Sequence, residues 1–286
     1  MAQHGFLPRM QAYFFDLDGC IYHGDRLSAG VVPLLDRLRQ QGLSYVFLTN
    51  NSRLGAAEIG SRLEAMGLTV PDDRILPVTD IAGKYLRDKY GKLSVKTIGS
   101  DSLARNIAEA GHTPIAWDAP GADVVIVGRD TEFHYNKLQR IAADIGHGSR
   151  LIATNPDRYH PGQFGERVPE TGSLLAAIEA VTGKTAECIG KPEPYMFEQA
   201  MQLCGAAPDS CVMVGDNLET DIRGSRQAGL RSVWITNGSA PGPAAEGGAE
   251  VLESRSSAAG FAPSGPARPD VVVNDMEELY QLVMQG

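Results

Sequence analysis

Short apolar runs recur along the chain, and between them lie segments whose apolar positions return every three or four residues. The runs cover residues 12–15, 45–48, 95–98, 124–127, 151–153, 211–214, 232–235 and 271–273. The periodic segments cover 32–40, 56–66, 81–89, 103–110, 135–145, 173–181, 195–203, 219–228 and 276–283. Strand and helix therefore alternate throughout, which predicts an α/β class with a parallel sheet covered by helices. Some predicted strands run straight into polar residues: Asp16 after the first, Thr49-Asn50-Asn51 after the second and Gly215-Asp216-Asn217 after the sixth. Ligands of open parallel sheets bind outside the carboxyl ends of the strands, so these segments are expected to converge although they lie far apart in sequence. Residues 238–269 are rich in Gly, Ala, Pro and Ser, with only 249–255 reading as helical, and predict a mobile surface excursion.

A length of 286 residues with 43% hydrophobic and 21% charged positions supports one large domain or two ordinary ones with a real core. The formal charge of −9, with Lys and Arg scattered, leaves no basic track for a nucleic acid polymer. Acidity does not exclude a phosphorylated ligand, because a divalent cation held by a few carboxylates reverses the local field. Cys20, Cys188, Cys204 and Cys211 form neither a C-x-x-C pair nor a dense framework, so they read as reduced thiols, mostly in the core. No run of about 18 apolar residues occurs, and the first residues lack a signal-type apolar stretch. A cytoplasmic protein with no membrane partner is the expectation.

Asp16-Leu17-Asp18-Gly19 places two carboxylates at the end of an apolar strand. Two Asp residues at this spacing also decorate solvated turns. At the end of a buried strand, however, they cost free energy unless something compensates, and a bound cation is the natural compensation. Mg²⁺ prefers oxygen ligands and is held by one or two carboxylates together with substrate phosphate. Asp216 supplies a further carboxylate at a strand end, where Gly215 lets ligands approach the backbone. The same segment reads equally as a helix N-terminus capped by Asp216 or Asn217. Thr49, Asn50 and the residues after them offer a hydroxyl, an amide and helix-start N–H groups to an anion, and a capping turn would look the same. Lys191 lies on a loop stiffened by Pro192 and Pro194 ahead of a helix; alone, such a lysine reads as solvated.

Taken together, Asp16-Leu17-Asp18-Gly19-Cys20, Thr49, Lys191 and Gly215-Asp216 with Asp221 stand in the order of the four motifs of the haloacid dehalogenase superfamily of phosphohydrolases, which the chain resembles. The segments LTNNS, VGRDTEFHYNKL, ATNPD, GKPEPYMF and VGDNLETDI resemble its NagD-like, 4-nitrophenylphosphatase branch, class IIA. Two departures are Cys20, where Thr or Val is usual, and the length of the 238–269 segment.

The resemblance implies a Rossmann-like parallel-sheet core, residues 1–78 and 185–286, with a large inserted α/β cap, residues 79–184, that sets substrate specificity. It implies a Mg²⁺-dependent phosphatase acting on a small phosphorylated metabolite, such as a sugar phosphate or nucleoside monophosphate, with 4-nitrophenyl phosphate as an artificial substrate. Asp16 would be the nucleophile that forms an aspartyl phosphate, and Asp18 the acid and base. Mg²⁺ would be held by Asp16, Asp18 through its backbone carbonyl and Asp216, with Asp221 behind them or joined through water. Thr49, Asn50 and Lys191 would hold the phosphoryl oxygens. Asn155, Asp157, Arg129 and His134 are the candidates to meet the leaving group. A phosphosugar mutase or other phosphotransferase would share these motifs, and a non-catalytic phosphometabolite-binding regulator would share the fold. Asp18 favours a phosphatase over a dehalogenase, because an alkoxide leaving group needs an acid and a halide does not. The resemblance leaves a cap-to-cap homodimer open.

Overall fold

The computed structural model describes residues 5–162, 166–238 and 268–284, so most of the expected excursion at 238–269 lies outside the described residues. In chain order the strands are β1 (Ala12–Phe15), β2 (Tyr22–His23), β3 (Arg26–Leu27), β4 (Ser44–Thr49), β5 (Ile75–Pro77), β6 (Ser94–Ile98), β7 (Thr113–Ile115), β8 (Val124–Val127), β9 (Arg150–Ala153), β10 (Tyr159–Pro161), β11 (Arg167–Pro169), β12 (Glu187–Cys188), β13 (Cys211–Gly215), β14 (Arg231–Ile235) and β15 (Val271–Val273). The helices are α1 (Val31–Gln40), α2 (Ala56–Ala65), α3 (Val78–Tyr90), α4 (Asp101–Glu109), α5 (Tyr135–Gly146), α6 (Thr171–Thr182), α7 (Tyr195–Cys204), α8 (Arg223–Gln227) and α9 (Met276–Met284). Every apolar run read from the sequence forms a strand. The strands it missed, such as β5, β7 and β12, are two or three residues long, too short to show a period.

Six parallel strands form the core sheet in the order β15-β14-β13-β1-β4-β5. Strand β1 is buried at all of its positions because helices cover both faces of the sheet, and a two-sided strand needs a continuous apolar run. Tyr13, Phe15, Phe47, Val212 and Val214 share one apolar cluster with α1 and α9. The α1 side of that cluster is Val31, Leu34, Leu35 and Leu38, at helical spacing. Phe14, Val46, Leu48 and Met213 belong to the opposite cluster with Met196 and Phe197 of α7.

Between β5 and β13 the chain builds a second parallel sheet, five strands in the order β12-β9-β8-β6-β7. Helices α5 and α6 pack on one of its faces through Ile141, Ile145, Leu175 and Ile178. Helix α3 joins the two units: its Val78, Ile81, Ala82, Tyr85 and Leu86 lie in the same apolar cluster as Phe14 and Leu48 of the core sheet and Val95, Val124 and Ile152 of the second. The fold is thus an α/β core with a large inserted α/β cap. The four cysteines are free thiols, with Cys20 and Cys211 buried and Cys188 and Cys204 half-buried. Among the described residues, no helix is long and apolar enough to cross a membrane.

Candidate active site

Strand β1 has β13 on one side and β4 on the other: the chain runs outward from β1 through β4 to β5, then returns to the far side of β1 as β13 and runs outward the other way through β14 to β15. Such a reversal opens a crevice at the carboxyl ends of the strands. Asp16 stands there, its backbone N–H donating to the Val214 carbonyl at 2.9 Å. Lys191, on the loop before α7, is 1% exposed. Its Nζ donates to Asp16 Oδ1 at 2.6 Å, to Asp221 Oδ1 at 2.7 Å and to the Leu48 carbonyl at 3.1 Å, which engages all three of its protons. Asp16, Asp216 and Asp221 each offer an oxygen within 4.8 Å of the others.

Asp221 arrives there through a local departure from the expected helix at 219–228. Residues Leu218–Ile222 wind as a π-turn, and only Arg223–Gln227 is α-helical. The Asn217 carbonyl accepts both the Asp221 and the Ile222 N–H, while its Oδ1 accepts the Glu219 and Thr220 N–H groups. A widened turn of this kind re-aims a side chain, and here Asp221 is fully buried with the Asn217 N–H donating to its Oδ2 at 3.1 Å. Asn217 is therefore the cap, one of the two residues the sequence allowed.

The charges in this cluster do not balance. Burial, followed by repulsion from Asp221 and Asp216, holds Asp16 well above the ordinary carboxylate range despite Lys191. Burial and the nearby Asp221 push Asp216 up to about 7. Burial works against the Lys191 ammonium, but Asp16 and Asp221 outweigh it and raise the group above its usual value. Two glycines make the approach of these side chains feasible. A Cβ on Gly215 would lie 2.2 Å from Asp221 Oδ2, and one on Gly19 would lie 2.2 Å from Asp216 Oδ2. Gly19 also has φ +81°, a left-handed conformation that favours glycine.

Thr49 and Asn50 lie beside the cluster at the end of β4. Thr49 Oγ1 accepts the Asn51 N–H, and Asn50 Nδ2 donates to the Lys191 carbonyl at 2.9 Å and to Asp157 Oδ2 at 3.0 Å. Asn50 Oδ1 is buried with no hydrogen-bond partner among the described residues. Asn155 and Asp157 reach from the cap onto this same loop. Asn155, 1% exposed, donates to the Asn50 carbonyl at 2.8 Å, and burial raises the Asp157 carboxyl. Asn155 therefore ties cap to core.

Arg129 donates to Glu170 Oε1 at 3.1 Å, an oxygen 2.7 Å from His160 Nδ1. His134 packs edge-on against Trp117 at the exposed start of α5. Asp18 is exposed and outside the three-carboxylate group; its Oδ2 accepts the Tyr22 hydroxyl at 2.9 Å. Cys20, the departure from the usual motif, is buried with its thiol toward the Val214 carbonyl, and burial raises it well above its ordinary value. Sequence reasoning did not single out Ser52, Thr171, Glu170 or Tyr22. Ser52 Oγ accepts the Arg129 backbone N–H and lies 3.3 Å from Thr171 Oγ1, a second strut between core and cap. The only signal for Ser52 was its place in the loop after Thr49.

A parallel α/β core with three carboxylates and a buried lysine gathered at the strand ends, joined to an inserted α/β cap, has the arrangement of a phosphohydrolase of the haloacid dehalogenase type. The sequence profile of the haloacid dehalogenase-like hydrolases matches residues 13–113, and a related hydrolase profile of the same superfamily matches residues 188–279. Human chronophin is 34% identical over 81% of this chain and 83% of its own length. The ribonucleotide monophosphatase NagD of Escherichia coli K12 is 31% identical over 78% of this chain and 86% of its own. The crystal structure of a 4-nitrophenylphosphatase from Thermotoga maritima superposes with a TM-score of 0.82 at 29% identity, covering 98% of this chain and all of the other. The chain belongs to the haloacid dehalogenase-like hydrolases, in the NagD-like branch of class IIA, and is a phosphoric monoester hydrolase.

Gly19→Ala tests the close approach of Asp216. The added methyl displaces a carboxylate and strains a left-handed residue. Stability is expected to fall by about 1–2 kcal/mol from the backbone alone, and phosphatase activity by roughly 10- to 100-fold. Thermal melting and kcat/KM for 4-nitrophenyl phosphate read the two effects, and unchanged values in both would show that Asp216 does not need the space.

Proposed function

We propose that this chain is a Mg²⁺-dependent phosphatase that hydrolyses a small phosphorylated metabolite through an aspartyl phosphate on Asp16, under a cap of about residues 79–184 set into a core of residues 1–78 and 185–286. The observation that carries the reading is the cluster of Asp16, Asp216 and Asp221 with Lys191 at the sheet's reversal point. Three carboxylates against one ammonium leave a buried excess of negative charge, and oxygen donors this close suit a hard divalent cation. Asp16, Asp216 and the backbone carbonyl of Asp18 would hold Mg²⁺, with Asp221 alongside. When bound, the ion offsets charge on the phosphoryl oxygens and on Asp16.

In the proposed reaction an Asp16 carboxylate oxygen attacks phosphorus in line, forming the aspartyl O–P bond as the bond to the leaving oxygen breaks. Asp18 gives its proton to that oxygen. Water then attacks the phosphoryl group, Asp18 takes the water's proton, and phosphate leaves with Asp16 regenerated. Thr49, Asn50 and Lys191 are proposed to hold the phosphoryl oxygens, where preorganised positive charge matters most; the Lys191 ammonium and the Asn50 amide would each exchange one of their present acceptors for the phosphoryl group. Asp157, Arg129 and His134 remain the proposed contacts of the leaving group; Asn155, tied to the Asn50 carbonyl, would act by positioning the loop. The names of the similar proteins put ribonucleoside monophosphates and 4-nitrophenyl phosphate first among substrates to try.

The test is a hydrolysis screen over phosphorylated metabolites with and without Mg²⁺. Activity is expected only with the divalent cation, and turnover of phosphomonoesters in its absence would refute the metal assignment. The pH dependence follows from Asp216. Its folded value of about 7 lies above the ordinary 3.8, so the folded chain keeps a proton there that the unfolded chain has released. In metal-free protein this contribution to stability is full below the ordinary value and is lost as pH rises through about 7. Cation and proton compete for the same carboxylate, so Mg²⁺ affinity rises over that window. Comparison with Asp216→Asn in melts from pH 5 to 8, with and without Mg²⁺, isolates the effect.

A further inference from the structure

We infer that Tyr22 is a positioning residue for the proton transfer to the leaving group, holding one oxygen of Asp18 so that the other faces the departing oxygen. The inference rests on the reading of Asp18 as the acid. Tyr22 lies on β2, the first strand of the short antiparallel hairpin with β3 that follows the Asp16-to-Asp18 segment. Its hydroxyl donates to Asp18 Oδ2 at 2.9 Å, and the two residues are also joined by an isolated bridge between their backbones. The Gly19 N–H donates to the Tyr22 carbonyl at 2.9 Å, which closes the turn between them.

The contrast in burial is the informative part. Tyr22 is 2% exposed, whereas Asp18 stands in solvent. A carboxylate in solvent samples several rotamers, and fixing it against a buried partner lowers the cost of reaching one geometry in the transition state. Tyr22 is itself held: the Arg62 guanidinium of α2 lies 4.8 Å from the centre of its ring, with Nη1 3.5 Å from the hydroxyl. Arg62 also donates to the Gly24 carbonyl at 2.9 Å, and so clamps the hairpin that carries Tyr22. A phenol keeps its proton near neutral pH, so the Tyr22 hydroxyl is the donor and the Asp18 oxygen the acceptor. With Oδ2 accepting from Tyr22, a proton on Asp18 resides on Oδ1, the oxygen left to face the substrate.

The effect should depend on the leaving group. Phenyl phosphate and 4-nitrophenyl phosphate have nearly the same shape, but phenolate is the more basic leaving group and needs the acid more. Tyr22→Phe removes one hydroxyl from a buried ring, and Asp18 retains solvent as a partner, so the variant is expected to fold; its melting temperature checks this. Its kcat/KM, which reports the first phosphoryl transfer, should fall about tenfold more for phenyl phosphate than for 4-nitrophenyl phosphate, a part of the roughly 10²- to 10⁴-fold contribution of a general acid. Asp18→Asn should show the same bias more strongly, and Tyr22→Phe added to it should introduce no further bias. Equal losses for both substrates, as a merely structural role gives, would overturn the inference. If Asp18→Asn discriminates between the substrates and Tyr22→Phe does not, the inference alone fails. If Asp18→Asn does not discriminate, the assignment of the acid fails and takes this one with it.

Discussion

Asp16→Asn is expected to lower kcat/KM for 4-nitrophenyl phosphate by about 10⁴-fold or more, the size of effect seen when a covalent nucleophile is removed. The amide matches the carboxylate in shape and can still accept from Lys191, so the architecture should survive. Stability should hold or rise in metal-free protein. Burial and two neighbouring carboxylates already disfavour the ionised form of Asp16, and a neutral side chain relieves that penalty. The pair of measurements is release of 4-nitrophenolate at saturating Mg²⁺ and a urea midpoint without it. A rate near that of the parent protein would remove Asp16 from the nucleophile's role. Loss of rate accompanied by loss of folding would show that the carboxylate is needed for structure instead.

Lys191→Met should cost both activity and stability. The ammonium bridges Asp16 and Asp221 at 2.6 and 2.7 Å, with all three groups largely removed from water. Taking away one member of such a group leaves buried carboxylates uncompensated, a loss of about 3–5 kcal/mol. Activity should fall by roughly 10²- to 10³-fold or more, because a preorganised positive charge beside the reacting phosphorus is also lost. Adding Asp221→Asn to Lys191→Met returns the cluster to its original excess of negative charge. The double variant should therefore recover much of the urea midpoint while remaining inactive. Recovery of activity together with stability would mean that Lys191 serves only to neutralise Asp221. A Lys191→Met protein as stable as the parent would show that the cluster is better solvated than its burial indicates.

These outcomes depend on contacts of different legibility. The run Ala12, Tyr13, Phe14, Phe15 followed by Asp16 could be read directly, because a strand covered on both faces must be apolar at successive positions and the break to a carboxylate is abrupt. The same reasoning located Thr49 and Gly215-Asp216 at the ends of their strands. The position of Lys191 was legible only through the resemblance, since a lysine between two prolines has no local property that separates a solvated side chain from a buried one. The same holds for Asn155. As a letter in a polar loop it is a candidate to meet substrate, and only packing of cap on core turns it onto the Asn50 carbonyl.

The sequence by itself determined the alternation of strands and helices, the strand ends that carry carboxylates, and the superfamily. Each of these is expressed over a few neighbouring residues, through side-chain period and through the cost of placing charge beside an apolar run. Only the tertiary structure decided the sheet order that puts β1 between β4 and β13, and the π-turn that buries Asp221. It also decided the bridge of Lys191 to two carboxylates and the pairing of Tyr22 with Asp18. Those depend on register between distant strands and on which side chains share a space once water has left it, and no local pattern carries that information.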